Sequence, residues 1–310
     1  MRNDSGVVRH KRFTGQQLTP WLFAAPGLVL LLVFLIAPFM LAFGFSFTDQ
    51  RLVGNDELAT NFVGARNYLR LFDDDSFWAA LRNNFFFVAV VAPLQSVFAL
   101  ALALLVNQKL AGTRFFRTVY FMPVATTMAV VAVVWSLLYS PDAGVVNRLV
   151  GALSFGTVGP QDWLRDPALV MPAVMVLSIW QGAGFQMLVF LAGLQSIPGD
   201  LYEAAGLDGA SPWNQFRYVT LPMLKNTTIF VLVTTTIYAF QLFTQVQIIA
   251  ASGASAPVDS FRTMVMLMVH EGFRNGKIGY ASAISVVFFA IVLAVSMLQR
   301  LVLREERAVS

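Results

Sequence analysis

The chain contains no cysteine and only two histidines, His10 and His270. Those absences exclude a disulfide framework, a thiol nucleophile and a thiolate metal site, and two distant imidazoles do not make a metal cluster. Charge is scarce as well. Asp, Glu, Lys and Arg make up 12% of the 310 residues, where a soluble globular chain carries about 25%. A phosphate-binding loop of the G-x-x-x-x-G-K-[ST] kind is missing. The nearest approach is Gly276-Lys277-Ile278, with Glu271 where the first glycine belongs and no hydroxyl after the lysine. The chain is therefore not expected to hydrolyse ATP. No internal repeat of roughly 20–50 residues is present, so a solenoid is not supported.

What the chain does have is apolar length. Hydrophobic residues account for 57% of it, and the mean hydropathy is +0.67. Six runs are long enough to cross a bilayer, which takes about 20 helical residues. They cover 21–45, 85–106, 119–139, 169–194, 229–251 and 280–298. None contains Asp, Glu, Lys, Arg or His, so the 21 basic and 17 acidic residues all lie between or beyond them. A charge at mid-membrane costs roughly 2.5–3.5 kcal/mol on insertion scales, which enforces that segregation. The expected fold is an all-α integral membrane protein with six transmembrane helices in one bundle. The first run exceeds the h-region of a signal peptide and no A-x-A site follows, so an uncleaved helix is expected.

Orientation follows from the connections. With both termini cytoplasmic, the inner segments hold 12 basic and 6 acidic residues, and the outer ones 9 and 11. Lys109, Arg114 and Arg117 crowd the short turn between runs two and three, where basic residues weigh most. Cytoplasmic termini are therefore expected. Residues 1–19 and 304–310 read as polar tails around one domain at 20–303. Pro26 and Pro38 are expected to bend the first helix rather than break it. Pro93 and Pro123 lie inside runs two and three, where neighbouring helices can satisfy freed carbonyls. The connection 48–78 turns at Gly54-Asn55-Asp56 and returns through Tyr68, Phe72, Phe77 and Trp78, aromatics suited to a membrane interface. The connection 140–168 is expected to form a short helix and turns.

The segment 197–226 between runs four and five is short and carries few charges. Asp200 with Glu203 three positions on has the outline of a capping box, opening a helix over 201–207. Gly209 permits a sharp turn, and Pro212 suits the first turn of a second helix carrying Trp213, Phe216 and Tyr218. Leu221-Pro222 is expected to stop it. Two readings stand: a surface gripped by a partner, or a helix-turn-helix lying on the membrane.

Written as a pattern, Glu203-Ala204-Ala205, three residues, Gly209, nine residues and Val219-Thr220-Leu221-Pro222 resembles the cytoplasmic coupling loop of permease subunits of binding-protein-dependent ABC importers. Val219 stands where Ile is usual. Leu191-Ala192-Gly193-Leu194-Gln195-Ser196-Ile197-Pro198, Asp208-Gly209-Ala210-Ser211, Arg117-Thr118-Val119-Tyr120-Phe121-Met122-Pro123 and Gly279-Tyr280-Ala281-Ser282-Ala283-Ile284-Ser285 are similar to the sugar and glycerol-phosphate branch. One departure concerns the end of run five. Many relatives have Phe-Asp and then Thr-Gly-Gly-Gly-Pro there, against Phe243-Thr244 and Ala251-Ser252-Gly253-Ala254-Ser255 here. The resemblance implies a type I importer fold and a location in the bacterial inner membrane. It implies a second, related permease subunit (a heterodimer), and an extracytoplasmic solute-binding protein. It also implies two separate ATP-binding subunits that use ATP and magnesium. No cofactor in this chain and no nucleic-acid partner are expected. The ATPase-docking residues would be Glu203, Ala204, Ala205, Gly209, Trp213, Phe216, Leu221 and Pro222.

The absence of ionisable groups in the runs disfavours an ion-driven carrier. Neutral polar residues are present. Thr234, Tyr238, Gln241 and Gln245 fall at i, i+4, i+7 and i+11, one face of a helix, with Thr244 beside them. Trp180, Gln181 and Gln186 bracket Gly182 and Gly184, where backbones could approach closely or unwind. Amides, hydroxyls and aromatic faces suit a small polar solute such as a polyol or sugar. The same residues would also serve as hydrogen-bonding glue between helices. Arg82 either attracts an anionic group or extends to the interface. Two further functions remain open: a stand-alone channel or carrier, and an intramembrane hydrolase built on Gly253-Ala254-Ser255 with His270.

Overall fold

In a computed structural model the described residues are 15–53, 60–108, 112–142, 144–252 and 256–303. The tail before residue 15, Gly54-Asn55-Asp56, Lys109, Gly253-Ala254-Ser255 and the tail after 303 lie outside them. Among the described residues five helices are long and apolar enough to cross a membrane, or six if one bent pair counts as a single span. Apart from an isolated Thr48–Phe62 bridge, the elements of the described residues are helical.

The first span is helical from α1 (Gly15–Leu31) through a π turn, Leu32–Ile36, to α2 (Ala37–Phe45). Helix thus reaches into the expected polar tail, since a formed helix propagates past an apolar run at little cost. Pro38 has no N–H to offer Phe34, and the π turn takes up the mismatch with the Ala37 N–H reaching the Leu32 carbonyl. The span runs unbroken through the proline, as expected. After α3 (Arg66–Phe72), α4 runs from Asp75 to Asn107, ten residues earlier than the apolar run. Asp74 explains the early start: its side chain accepts from the Ser76 N–H at 2.9 Å. The added turns bury Phe77, Ala80, Asn83 and Asn84 and leave Arg82 exposed.

Run three is not a straight helix. α5 (Thr113–Ala125) and α6 (Met128–Leu138) meet at 99°. α5 runs through Pro123 to Ala125, and Thr126 and Thr127 between the two helices are extended (ψ 139° and 141°). The helix passes Pro123 as expected, but run three as one continuous helix is corrected: it breaks three residues later, at Thr126-Thr127. α7 (Val145–Leu153) is the short helix foreseen in 140–168. α8 (Val170–Gln195) is unbroken, so Gly182 and Gly184 serve close approach and not unwinding. A Cβ on Gly184 would lie 2.4 Å from the Tyr120 carbonyl oxygen, and one on Gly182 2.4 Å from Gln95 Nε2. α4 packs along α8, with Ala99, Ala103 and Ala183 almost fully buried between them.

Run five divides into α12 (Lys225–Phe240) and α13 (Thr244–Ala251). No glycine or proline marks the break. It persists because other elements bond its backbone: Asn84 Nδ2 donates to the Phe240 carbonyl at 2.9 Å, and Thr263 Oγ1 to the Leu242 carbonyl at 2.8 Å. The Met264 N–H, opening α14 (Met264–Val269), donates to Asn84 Oδ1 at 2.7 Å. Irregular backbone at this depth is tolerated only where protein satisfies it. A π turn, His270–Arg274, leads to α15 (Ile278–Leu303). Asn84→Ala should unpair a buried carbonyl and a buried N–H together, at about 1–3 kcal/mol each. Thermal unfolding of the solubilised protein is expected to show a loss of about 2 kcal/mol or more. A variant as stable as the parent would mean that Asn84 does not hold the break.

Candidate solute cavity and coupling segment

Neutral amides from three spans converge on one cavity of about 480 Å³. α4 supplies Gln95, α8 supplies Gln181 and Gln186, the α12–α13 break supplies Gln241, and the start of α13 supplies Gln245. Ser178, Thr235 and Tyr238 add hydroxyls, and Phe87 and Phe185 add aromatic faces. Among the described residues no Asp, Glu, Lys, Arg or His lines it. Two contacts between wall groups are internal. Gln186 Nε2 donates to Thr235 Oγ1, and Gln245 Nε2 to Ser178 Oγ at 3.3 Å. Gln186 Oε1 is buried with no hydrogen-bond partner among the described residues. A buried acceptor without a partner is uncommon.

Five of the eight expected pathway residues line this cavity: Gln181, Gln186, Tyr238, Gln241 and Gln245. Trp180 does not; its indole lies against Trp135, ring centroids 5.6 Å apart. Thr234 does not either, because its hydroxyl donates back to the Phe230 carbonyl at 2.7 Å, and its neighbour Thr235 takes the wall position. Thr244 opens α13 outside the lining. A single helical face was the wrong construction: the helix stops at Phe240 and restarts at Thr244, so three of the four residues gather by way of the break. Gln95 went unread in the sequence, although it is the one amide in run two. Its partner in the fold is Gly182, whose missing side chain leaves it room.

The segment after α8 folds into a compact turn. α9 (Gly199–Leu207) begins at Pro198 with no side-chain cap, so Asp200 lies in the first turn and the expected capping box is not made. A carboxylate there still favours the helix N-terminus. Glu203 and Ala204 are exposed and Ala205 is half-buried. Gly209 has φ +75°, the left-handed region. Ser211 caps α10 (Pro212–Gln215) by accepting from the Asn214 N–H at 3.3 Å. The rings of Trp213 and Phe216 lie 5.6 Å apart, with Trp213 65% exposed. A π turn, Phe216–Thr220, precedes Pro222 just as one precedes Pro38. Leu221 and Pro222 are exposed within α11 (Leu221–Met223). The chain turns at the fully buried Leu224, not at Pro222 as the proline alone suggested, and α12 follows. Tyr202 and Thr220 hydroxyls, 3.0 Å apart, tie α9 to the π turn. Leu207, 90% exposed, joins Trp213 among the apolar groups this segment presents.

The hydrolase reading has no geometric support. His270 is bonded to Asn275 and faces Glu271, and Ser255 lies outside the described residues. Among the described residues no group of three or more His, Asp or Glu is placed to hold a metal.

Comparison with known proteins agrees with this architecture. The lactose transport system permease protein LacF of Rhizobium radiobacter is 33% identical over 290 residues, covering 93% of this chain and 94% of its own. The sn-glycerol-3-phosphate transport system permease protein UgpA of Yersinia pestis is 32% identical over 280 residues, covering 90% and 92%. A chain of a bacterial ABC transporter involved in the import of the acidic polysaccharide alginate shares the fold. Its TM-score is 0.77 at 22% identity, over 94% of this chain and 98% of that one. Residues 95–307 match the family described as binding-protein-dependent transport system inner membrane component. The protein belongs to that family and is a permease subunit of a binding-protein-dependent ABC transport system.

Proposed function

We propose that this subunit passes a neutral, hydroxyl-rich solute of the carbohydrate class through the glutamine-lined cavity. The observation that carries the reading is the wall itself: five amides, one with a buried unpaired acceptor, and no charged group among the described residues. A phosphate at this depth would need a cation beside it, and the wall has none. The relatives transport lactose in one case and glycerol phosphate in another; the neutral wall favours the first kind. ATP is hydrolysed by separate subunits that dock on Glu203, Ala204, Ala205, Gly209, Trp213, Phe216, Leu221 and Pro222. A second permease subunit completes the pore and an extracytoplasmic binding protein delivers the solute. The chain crosses the bacterial inner membrane six times, the bent pair α5–α6 counting once, with both termini cytoplasmic. The basic residues between runs two and three support that orientation.

Gln95→Leu combined with Gln186→Leu removes two bonding groups of about 1 kcal/mol each. Half-saturation of ATP-driven uptake by the reconstituted transporter should rise roughly tenfold or more, a loss of about 1.4 kcal/mol or more. Thr234→Val should leave it unchanged. Parental uptake in the double variant would remove the cavity from the pathway. Nucleotide-independent uptake by this chain alone in liposomes would instead establish a stand-alone carrier.

A further inference from the structure

A second pocket, of about 250 Å³, lies on the other side of α13 from the solute cavity. Gln245 faces the cavity and Gln247, two residues on, faces this pocket. Ala250, Val258 and Leu267 form an apolar wall, while Arg262, His270 and Arg274 bring cationic or donating groups. The π turn brings the last two together. Residues four apart on an α-helix drift about 40° around the axis. The wider turn, closed by the Asn275 N–H on the His270 carbonyl at 2.9 Å, opposes that drift, and His270 and Arg274 line the same pocket.

The charge there is only partly compensated. Arg262 pairs with Asp259 at 3.1 Å, but that carboxylate is 71% exposed. Glu271 lies 3.7 Å from His270, yet its oxygens are taken by Lys277 at 3.2 Å and Asn275 at 2.7 Å. Among the described residues Arg274 makes no ion pair. A pocket with two guanidinium groups, an amide donor and an apolar wall matches a ligand that is anionic at one end and carbon at the other.

We propose that this pocket binds a phosphate ester. Guanidinium forks match phosphate oxygens with paired N–H bonds, Gln247 donates to a neighbouring oxygen, and the apolar wall takes the carbon part. The same chemistry is offered by a phospholipid headgroup and by a soluble glycerol phosphate.

The test uses the assembled transporter and reads binding, so it does not depend on the uptake reading above. Lipid-stripped complex in detergent is titrated with sn-glycerol 3-phosphate. In a second arm the complex is placed in phosphatidylcholine nanodiscs with increasing phosphatidylglycerol. Protection against thermal unfolding is followed in both arms. Stabilisation by at least one probe is expected, with half-saturation at least fivefold higher in Arg274→Gln and Arg262→Gln and unchanged in Arg165→Gln, an exposed arginine elsewhere. A response to glycerol phosphate identifies a soluble ligand; a response to phosphatidylglycerol alone identifies a headgroup; either bears out the phosphate-ester site. No protection by either probe, or equal protection of Arg274→Gln and the parent, overturns it.

Discussion

Gly184→Val is expected to reduce the amount of folded, membrane-inserted protein at least tenfold. A Cβ at this position would lie 2.4 Å from the Tyr120 carbonyl oxygen, 3.0 Å from Val124 Cγ2 and 3.2 Å from Phe121 Cα. Two of those three atoms are backbone, so no rotamer change relieves the clash, and α5 would have to leave α8. Overpacking of this kind typically costs about 1–3 kcal/mol when the surroundings can shift; backbone contact puts it at or above the top of that range. Gly182→Ala should behave differently. Its added methyl meets only the end of the Gln95 side chain, which can swing away. The protein should fold, and solute affinity should fall because Gln95 leaves the wall. Gly151→Ala, with nothing within 4 Å, should be neutral in both respects. Membrane-fraction yield and uptake half-saturation, measured side by side, check all three. Parental yield of Gly184→Val would mean that α5 and α8 are not in contact.

Gly209→Val is expected to abolish ATP-driven uptake while leaving insertion and yield unchanged. The position has φ +75° and open space around it, so the only penalty is conformational. An L-residue in the left-handed region costs roughly 1–2 kcal/mol, more for a β-branched one, whereas asparagine visits it readily. Gly209→Asn should therefore retain most activity. Glu203→Lys, an exposed charge reversal on α9, should also lose uptake at normal yield if a basic surface of a motor subunit rests there. ATP hydrolysis and solute uptake measured on the same proteoliposomes separate the cases. Normal coupling in both Gly209→Val and Glu203→Lys would leave the segment without a part in energy transfer.

These two expectations draw on the sequence to different degrees. The segment around Gly209 could be read directly, because glycine, proline and serine at turn positions act on their own backbone. The left-handed Gly209 and the helix opening at Pro212 are where the pattern placed them. The capping box at Asp200 was not made, since the helix began two residues earlier behind Pro198. The contact at Gly184 could be suspected from a glycine in an apolar run, but its partner Tyr120 is remote in the chain and nothing local names it.

Membrane class, the six apolar runs and the polar segment between the fourth and fifth were set by the sequence alone. Transfer of side chains from water to hydrocarbon is close to additive along the chain, so a run of some twenty residues partitions on its own composition, whatever its neighbours are. Only the tertiary structure decided where the runs break and which polar groups meet. The break at Gln241 exists because Asn84 and Thr263, distant in the chain, satisfy its carbonyls. The bend of α5 against α6 lies at the extended Thr126 and Thr127, and both helices pack on α8. Gln95 enters the cavity because Gly182 leaves it space. Such choices depend on hydrogen bonds and contacts between helices, which no periodicity within one helix records.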